Sequence, residues 1–210
     1  MGEVILWDYW RSSAAYRVRI ALNLKGVRYQ ARPVDLLKGE HAGPENLARN
    51  PQGLVPTLEI DGLTLTQSLP ILEYLDETRP EQPFLPADPV SRQQVRAVAA
   101  AIAMEIHPVC NMSVARHATG GSPEAMGVWM RHFIPRGLAG VEKMVAAIRT
   151  GGFCFGDAPG LADLCLMPQL YNARRWEADL SPFPVLREVE AHCASLNAFA
   201  AAHPDAVRPA

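Results

Sequence analysis

The stretch LVPTLEIDGLTLTQS, residues 54–68, decides how the first part of the chain folds. Two short apolar segments, Leu54–Asp61 and Leu63–Ser68, are joined by Asp61-Gly62, a dipeptide typical of the tight turn of a β-hairpin. The segment that follows, from Leu69 to about Thr78, has the periodicity of a helix. The stretch therefore predicts a β-β-α unit.

Working outward from this unit, the preceding residues predict a β-α-β unit. EVILW, residues 3–7, and Val27–Val34 are predicted strands, and a helix is predicted from Ser13 up to a stop at Lys25-Gly26. The segment between Val34 and Leu54 reads as an irregular link. Residues 1–80 therefore form a predicted α/β domain.

The rest of the chain has a different character. Residues 81–89 lie in a proline-rich segment with the composition of a linker, and residues 90–210 form a predicted all-helical domain. The segments with helical periodicity are Val90–His117, Pro123–Arg149, Leu161–Arg175 and Pro184–Ala202.

Composition excludes several classes of function. The chain has 210 residues, a formal net charge of −2 and 20% charged residues, so it carries no electrostatic footprint for nucleic acid or an anionic membrane. An anionic ligand must therefore be bound by individual arginines. The four cysteines include no CxxC pair, which argues against a metal site, a redox dithiol and a disulfide scaffold. With no targeting segment or long apolar span, the expected location is cytoplasmic.

Two features of residues 54–68 point to a ligand. A cis Val55–Pro56 bond would leave the backbone N–H and C=O of Val55 available to an extended ligand, whereas a trans proline would merely begin a strand. Ser68, as the predicted N-cap, and Gln67 would lie at a helix N-terminus suited to a carboxylate. An ordinary cap is the alternative interpretation.

A third feature lies in RSSAAYRVRIAL, residues 11–22. Ser12 and Ser13 begin the first predicted helix, and the small residues Ala14 and Ala15 follow them. Either serine is an ordinary helix cap, or one of them points at a ligand that must approach closely.

The chain resembles the zeta class of glutathione transferases in a series of motifs and in their order along the sequence. The motifs are RSS and RVRIAL, NPQGLVPTLEIDG, TQSLPILEYLDETRP and ADLCLMPQLYNARRWEADLSPFP. The resemblance extends from about Val4 to His203. It implies a thioredoxin-like first domain that binds glutathione, a helical second domain that completes the substrate site, and a homodimer.

The resemblance also implies roles for individual residues. Ser12, with Ser13 as its neighbour, is the candidate catalytic residue that contacts the glutathione sulfur. Arg11 and Arg175 are the candidate ligands of the substrate carboxylates, since arginine binds carboxylates in a bidentate manner. The candidate glutathione-binding residues are Ser12, Ser13, Ala14, Ala15, Tyr16, Arg17, His41, Val55, Gln67, Ser68, His107, Asn111, Met112 and Ser113.

The chain departs from the family pattern at two positions. Ala14 replaces a cysteine, which disfavours reductive dehalogenation but not an isomerisation in which glutathione supplies the only thiolate. Gly160 replaces the serine or threonine before the ADLCL helix, where glycine is a tolerable N-cap and Asp163 can still serve the helix start.

The expected function is therefore glutathione-dependent cis–trans isomerisation of maleylacetoacetate to fumarylacetoacetate, in tyrosine and phenylalanine catabolism. Isomerisation of maleylpyruvate is the nearest alternative, and conjugation of glutathione to alkyl halides is another. A glutathione-binding protein that has lost turnover is the non-enzymatic alternative.

Overall fold

The computed structural model describes residues 2–209. The first elements in chain order are β1 (Ile5–Asp8), α1 (Ser13–Leu24), β2 (Gln30–Pro33), a short 3-10 turn (Glu40–Ala42), α2 (Pro44–Arg49), β3 (Thr57–Ile60), β4 (Leu63–Thr66) and α3 (Ser68–Thr78). The later elements are α4 (Pro89–Ala100), a π-helical segment (Ala101–Ile106), α5 (Met112–Ala118), α6 (Pro123–Ile148), α7 (Leu161–Arg175), α8 (Pro184–Ala194) and α9 (Asn197–Ala202).

The four strands form one mixed sheet in the order β2-β1-β3-β4. Strands β1 and β2 are parallel, whereas β1–β3 and β3–β4 are antiparallel. Asp61 and Gly62 form the hairpin turn between β3 and β4 with φ values of 55° and 78°, so the predicted hairpin is confirmed. Leu6 and Leu58 face each other across β1 and β3 and are fully buried. The α/β part of the predicted thioredoxin-like fold is therefore present.

Three segments differ from the prediction. The link before β3, predicted to be irregular, contains the 3-10 turn and α2. The single periodic segment Val90–His117 is divided into α4, the π-helical segment and α5, because the wider π turns and the cap at Asn111 interrupt the α-helix. The segment Pro184–Ala202 is two helices, since Leu196 has extended backbone angles between α8 and α9.

The chain divides into two compact units, and the division is not the one expected from the sequence. The first unit contains the residues up to Pro83 together with those from Leu196 onward, and the second contains Phe84–Ser195. The prediction had assigned residues 90–210 to one helical domain. Residues of α9 join the first unit because α9 packs on α1, where Arg19 Nε donates to the Ala202 carbonyl at 3.0 Å and Asn23 Nδ2 donates to the Ala198 carbonyl at 2.9 Å.

Helix α7 lies at the centre of the second unit, and most of its residues are buried. Its N-cap is Gly160, and Asp163 Oδ2 accepts a hydrogen bond from the Gly160 N–H at 2.8 Å, as predicted. Glycine has no side chain, so only this half of a capping box can form. Burial raises the pKa of Asp163, although two backbone N–H groups stabilise its ionised form.

Candidate active site

The start of α1 presents hydrogen-bond donors around Ser12. Ser12 is the N-cap, and its Oγ accepts a hydrogen bond from the Ala15 N–H at 3.2 Å, so the cap interpretation is confirmed. The Ser12 hydroxyl hydrogen remains available to a ligand, because the capping bond uses only a lone pair of the oxygen. The N–H groups of Ser13 and Ala14 have no acceptor within the helix. This end of α1 can therefore stabilise an anion by three donors and the helix dipole.

The next three residues of α1 lie behind this surface. Ala15 and Tyr16 are fully buried, and Tyr16 makes an edge-to-face contact with His203. Arg17 is 2% exposed, and its Nη1 donates to Ser68 Oγ at 3.2 Å. The side chains of these residues therefore support the site from within the unit, and that of Arg17 reaches Ser68, another candidate residue.

The Val55–Pro56 peptide bond is cis, as predicted. Val55 is half-buried and precedes the ladder, which begins only at Thr57. Its backbone polar groups therefore lie at the end of the sheet beside the start of β3.

The N-cap of α3 is Gln67, and the prediction that Ser68 is the N-cap was wrong. Gln67 has φ 68° and ψ 120°, and its side chain makes no capping hydrogen bond. Ser68 is instead the first helical residue, where its hydroxyl oxygen is engaged by Arg17. Since Pro70 has no N–H, the open backbone donors at this helix start are those of Ser68 and Leu69.

A residue that the sequence reasoning did not single out contacts this helix start. Gln67 Nε2 donates to Gln52 Oε1 at 2.6 Å. Gln52 lies within the quoted NPQGLVP motif, but only the fold brings it to Gln67, so no local signal could have identified it.

His41 lies on the other side of the turn that carries Gln52. It is half-buried, its carbonyl accepts from Asn46 Nδ2 at 2.8 Å, and its buried Nδ1 has no hydrogen-bond partner within residues 2–209. A Cβ added at Gly53 would lie 3.3 Å from the His41 carbonyl oxygen, so this turn and His41 are in close contact.

Arg11 stacks on aromatic rings at the end of β1. Its guanidinium carbon lies 5.2 Å from the ring centre of Trp10 and 6.0 Å from that of Tyr9. Arg208 also lies 5.2 Å from the Trp10 ring centre. These cation–π contacts hold Arg11 without neutralising its charge.

In the second unit, the structure brings together two segments that the prediction had named separately. Arg175 Nη2 lies 3.8 Å from Met112 Sδ, at the start of α5. Asn111 is the N-cap of α5, and its Oδ1 accepts from the Ser113 N–H and hydroxyl at 3.0 and 2.9 Å. His107 is half-buried directly after the π-helical segment.

Arg175 also lines a cavity of about 150 Å³ within the second unit. The other lining residues are Pro123, Glu124, Gly127, Arg131, Trp176 and Glu177. Two guanidinium groups thus lie at one cavity, together with two carboxylates.

None of the cysteines is placed as a nucleophile. All four are buried, and burial raises the pKa of the Cys110 thiol to about 11. Burial and the neighbouring Asp163 also raise the pKa values of Cys154 and Cys193. Burial thus disfavours the reactive thiolate form of these three cysteines, which favours a ligand as the source of a reactive sulfur.

Comparisons with known proteins agree with this arrangement. A family model described as the N-terminal domain of glutathione S-transferase matches residues 2–77. The maleylacetoacetate isomerase of Rhizobium meliloti (strain 1021) is 56% identical over 211 residues, which cover 99% of each chain. A maleylpyruvate isomerase described as a bacterial zeta-class glutathione S-transferase superposes with a TM-score of 0.94 at 41% identity, over 98% of this chain and 99% of that one. The chain belongs to the zeta class of glutathione transferases.

A further relative was solved with ligands. The maleylacetoacetate isomerase of Anaeromyxobacter dehalogenans 2CP-1, with glutathione bound in its active site, is 47% identical and has a TM-score of 0.89, over 99% of this chain and 98% of that one. A further structure of that protein holds dicarboxyethyl glutathione and citrate in the active site, with a TM-score of 0.88.

None of the helices that the structure describes between residues 2 and 209 is long and apolar enough to cross a membrane.

Proposed function

We propose that this zeta-class chain catalyses the glutathione-dependent cis–trans isomerisation of maleylacetoacetate to fumarylacetoacetate, as a step in tyrosine and phenylalanine breakdown. The observation that carries the proposal is the start of α1, where the Ser12 hydroxyl and two open N–H groups form an anion site in a protein whose own thiols are buried. The isomerase from Rhizobium meliloti, 56% identical over nearly its whole length, supports this substrate.

We assign the candidate residues to successive parts of the glutathione molecule. The open N–H groups of Ser68 and Leu69 and the Ser68 hydroxyl would bind the γ-glutamyl carboxylate. Gln67 lies beside this carboxylate site, the Val55 backbone would pair with the cysteinyl backbone, and His41 would contact the glycyl end. Arg17, buried and bonded to Ser68 Oγ, would add positive charge behind the carboxylate.

Bound glutathione supplies a thiolate that adds to the cis double bond and is expelled after rotation about the resulting single bond. The Ser12 hydroxyl and the N–H groups of Ser13 and Ala14 would hold this thiolate and lower the pKa of the thiol. Dicarboxyethyl glutathione, bound in the Anaeromyxobacter relative, is chemically a thioether of glutathione with a four-carbon diacid. That relative therefore accommodates a carbon–sulfur adduct in its site.

Arg11 and Arg175 would bind the two carboxylates of the substrate. The Arg11 guanidinium stacks on the aromatic rings of Tyr9 and Trp10, and that of Arg175 contacts the Trp176 ring and Met112 Sδ. His107, Asn111, Met112 and Ser113 would contribute to the glutathione site, as the zeta-class resemblance implies. Asn111 would do so through its amide nitrogen, since its oxygen caps α5.

Maleylpyruvate is the second candidate substrate, because a maleylpyruvate isomerase superposes with a TM-score of 0.94. The chemistry is the same on a shorter diacid. We further propose that the protein acts as a homodimer, as the zeta-class resemblance implies, and that it does so in the cytoplasm, the location expected from the sequence.

The test uses purified protein with maleylacetoacetate and with maleylpyruvate, each with and without glutathione. We expect turnover of maleylacetoacetate that requires glutathione and exceeds turnover of maleylpyruvate and of an alkyl halide. Faster turnover of either competitor would reassign the substrate. A wild-type protein without isomerase activity that gains it on Ala14→Cys would instead identify a glutathione-binding relative that has lost turnover.

A further inference from the structure

Gln52 and Gln67 are joined by a hydrogen bond of 2.6 Å between their side-chain amides. Gln67 is the N-cap of α3, and its φ of 68° is unusual for a residue other than glycine. Such a backbone conformation persists only where the surroundings enforce it, and it is frequent at ligand sites. The Gln67 side chain is therefore attached to a constrained backbone, and its amide is hydrogen-bonded to Gln52.

The partner is itself held by its turn. Asn50 is fully buried, its Oδ1 accepts from the Gln52 N–H at 3.1 Å, and its Nδ2 donates to the Leu54 carbonyl at 3.1 Å. The Gly53 N–H donates to the Asn50 carbonyl at 2.9 Å, in a turn where Gly53 has φ 64°. The Gln52 side chain is thus exposed, whereas the backbone of its turn is held by hydrogen bonds.

The arrangement of donors and acceptors has a chemical consequence. A glutamine amide has two N–H donors and one carbonyl acceptor, and Gln52 Oε1 uses one N–H of Gln67. The open groups at the adjacent helix start are all donors, which suit a carboxylate. The γ-glutamyl end of glutathione carries a carboxylate and an ammonium group on one carbon, so the ammonium group needs an acceptor beside those donors.

We infer that Gln52 is a positioning residue of the glutathione site, which orients the Gln67 amide so that its carbonyl oxygen accepts a hydrogen bond from the ammonium group of glutathione. This inference rests on the proposed function. Without Gln52, the Gln67 amide can turn its NH₂ group toward the ammonium group, where two donors face each other.

The experiment measures calorimetric dissociation constants for glutathione and for glutaryl-cysteinylglycine, which is the same tripeptide without the ammonium group. Gln52→Leu should weaken glutathione binding about three- to tenfold, the range expected for one hydrogen bond, and should change binding of the analogue less than about twofold. Gln52→Glu keeps the acceptor for the Gln67 N–H and should bind glutathione at least as tightly as the wild type. Gln93→Leu, at an exposed position of α4, is the matched control and should bind both peptides normally.

The possible results separate this inference from the proposed function. Equal weakening of both peptides by Gln52→Leu, or no weakening of either, overturns the inference while leaving the function intact. If Gln52→Glu loses as much affinity for glutathione as Gln52→Leu does, the inference is also overturned, because Gln52 would then act as a hydrogen-bond donor. A wild-type protein that does not bind glutathione overturns both.

Discussion

Ser12 combines a structural and a chemical task in one hydroxyl group. Its oxygen accepts the capping bond from the Ala15 N–H, and its hydrogen is left for a ligand. The two tasks can be separated, because glycine is nearly as good an N-cap as serine whereas alanine is poor.

At this residue we expect Ser12→Ala to lower the free energy of unfolding by about 1 kcal/mol, and Ser12→Gly by only a few tenths. Both variants should lower kcat roughly tenfold or more, because both lose a hydrogen bond to a charged sulfur. The pKa of the bound glutathione thiol should rise, and the pH dependence of kcat should therefore shift to higher pH. Ultraviolet absorbance of the thiolate in each variant measures the ionisation directly.

Ser13→Ala is the control for this prediction, since Ser13 makes no capping bond in the structure. Loss of ionisation in Ser13→Ala alone would transfer the chemical role to Ser13. Unchanged ionisation in all three variants would mean that neither hydroxyl activates the sulfur.

Among the elements, the π-helical segment depends on a glycine in α6. A Cβ added at Gly137 would lie 2.4 Å from Ile106 Cγ1 and 2.7 Å from its Cδ1, and Ile106 is the last residue of that segment. The close approach of these two elements therefore requires a residue without a side chain at position 137.

We expect Gly137→Ala to lower the free energy of unfolding by roughly 1–3 kcal/mol, the usual cost of overpacking a core. In an Ile106→Ala background, Gly137→Ala should cost less than in the wild type, because both atoms that clash are absent there. Gly140→Ala is the matched control on the same helix, because a Cβ at that position would meet nothing within 4 Å. Alanine has a higher helix propensity than glycine, so this variant should be more stable than the wild type. Urea denaturation of Gly137→Ala, Ile106→Ala, the double variant and Gly140→Ala measures these effects, and an equal change in stability for Gly137→Ala and Gly140→Ala would contradict this prediction.

Elements also show what a sequence can and cannot predict. The Asp61-Gly62 hairpin, the Ser12 cap and the start of α7 at Gly160 and Asp163 were predicted, because each depends on residues a few positions apart. The Ser68 cap was wrong, since the N-cap is Gln67, and the contact of Ser68 Oγ with Arg17, 51 positions away, has no local signal. The Gln52–Gln67 bond and the contact between Gly137 and Ile106 likewise join distant positions, and no local pattern records them.

In the molecule as a whole, α9 belongs to the unit of α1 although α8 belongs to the other. Phe199 of α9 is 1% exposed, and Arg19 of α1, which is equally buried, bonds Asp8 and the Trp10 and Ala202 carbonyls. The predicted domain boundaries did not include the packing of α9 in the first unit. Helical periodicity indicates which residues of a helix are buried, but it does not indicate which element they pack against.

We expect Phe199→Ala to cost roughly 3–5 kcal/mol of stability in the first unit, as for other buried aromatic residues. Hydrogen exchange measured by mass spectrometry should show faster exchange in α1 and a smaller change in α7. Phe183→Ala, a buried phenylalanine of the second unit, should produce the opposite pattern. Faster exchange in α7 but not α1 on Phe199→Ala would contradict the assignment of α9 to the first unit.

The position of α9 also fixes the order in which the protein is completed during translation. A ribosome makes Phe84–Ser195 before it makes α9, so every residue of the helical unit exists before the first unit has its last helix. Nascent chains commonly fold their N-terminal domain first. In this chain the surface of α1 on which α9 packs must wait until all of Phe84–Ser195 has been synthesised, so the first unit cannot complete its packing before the second unit exists.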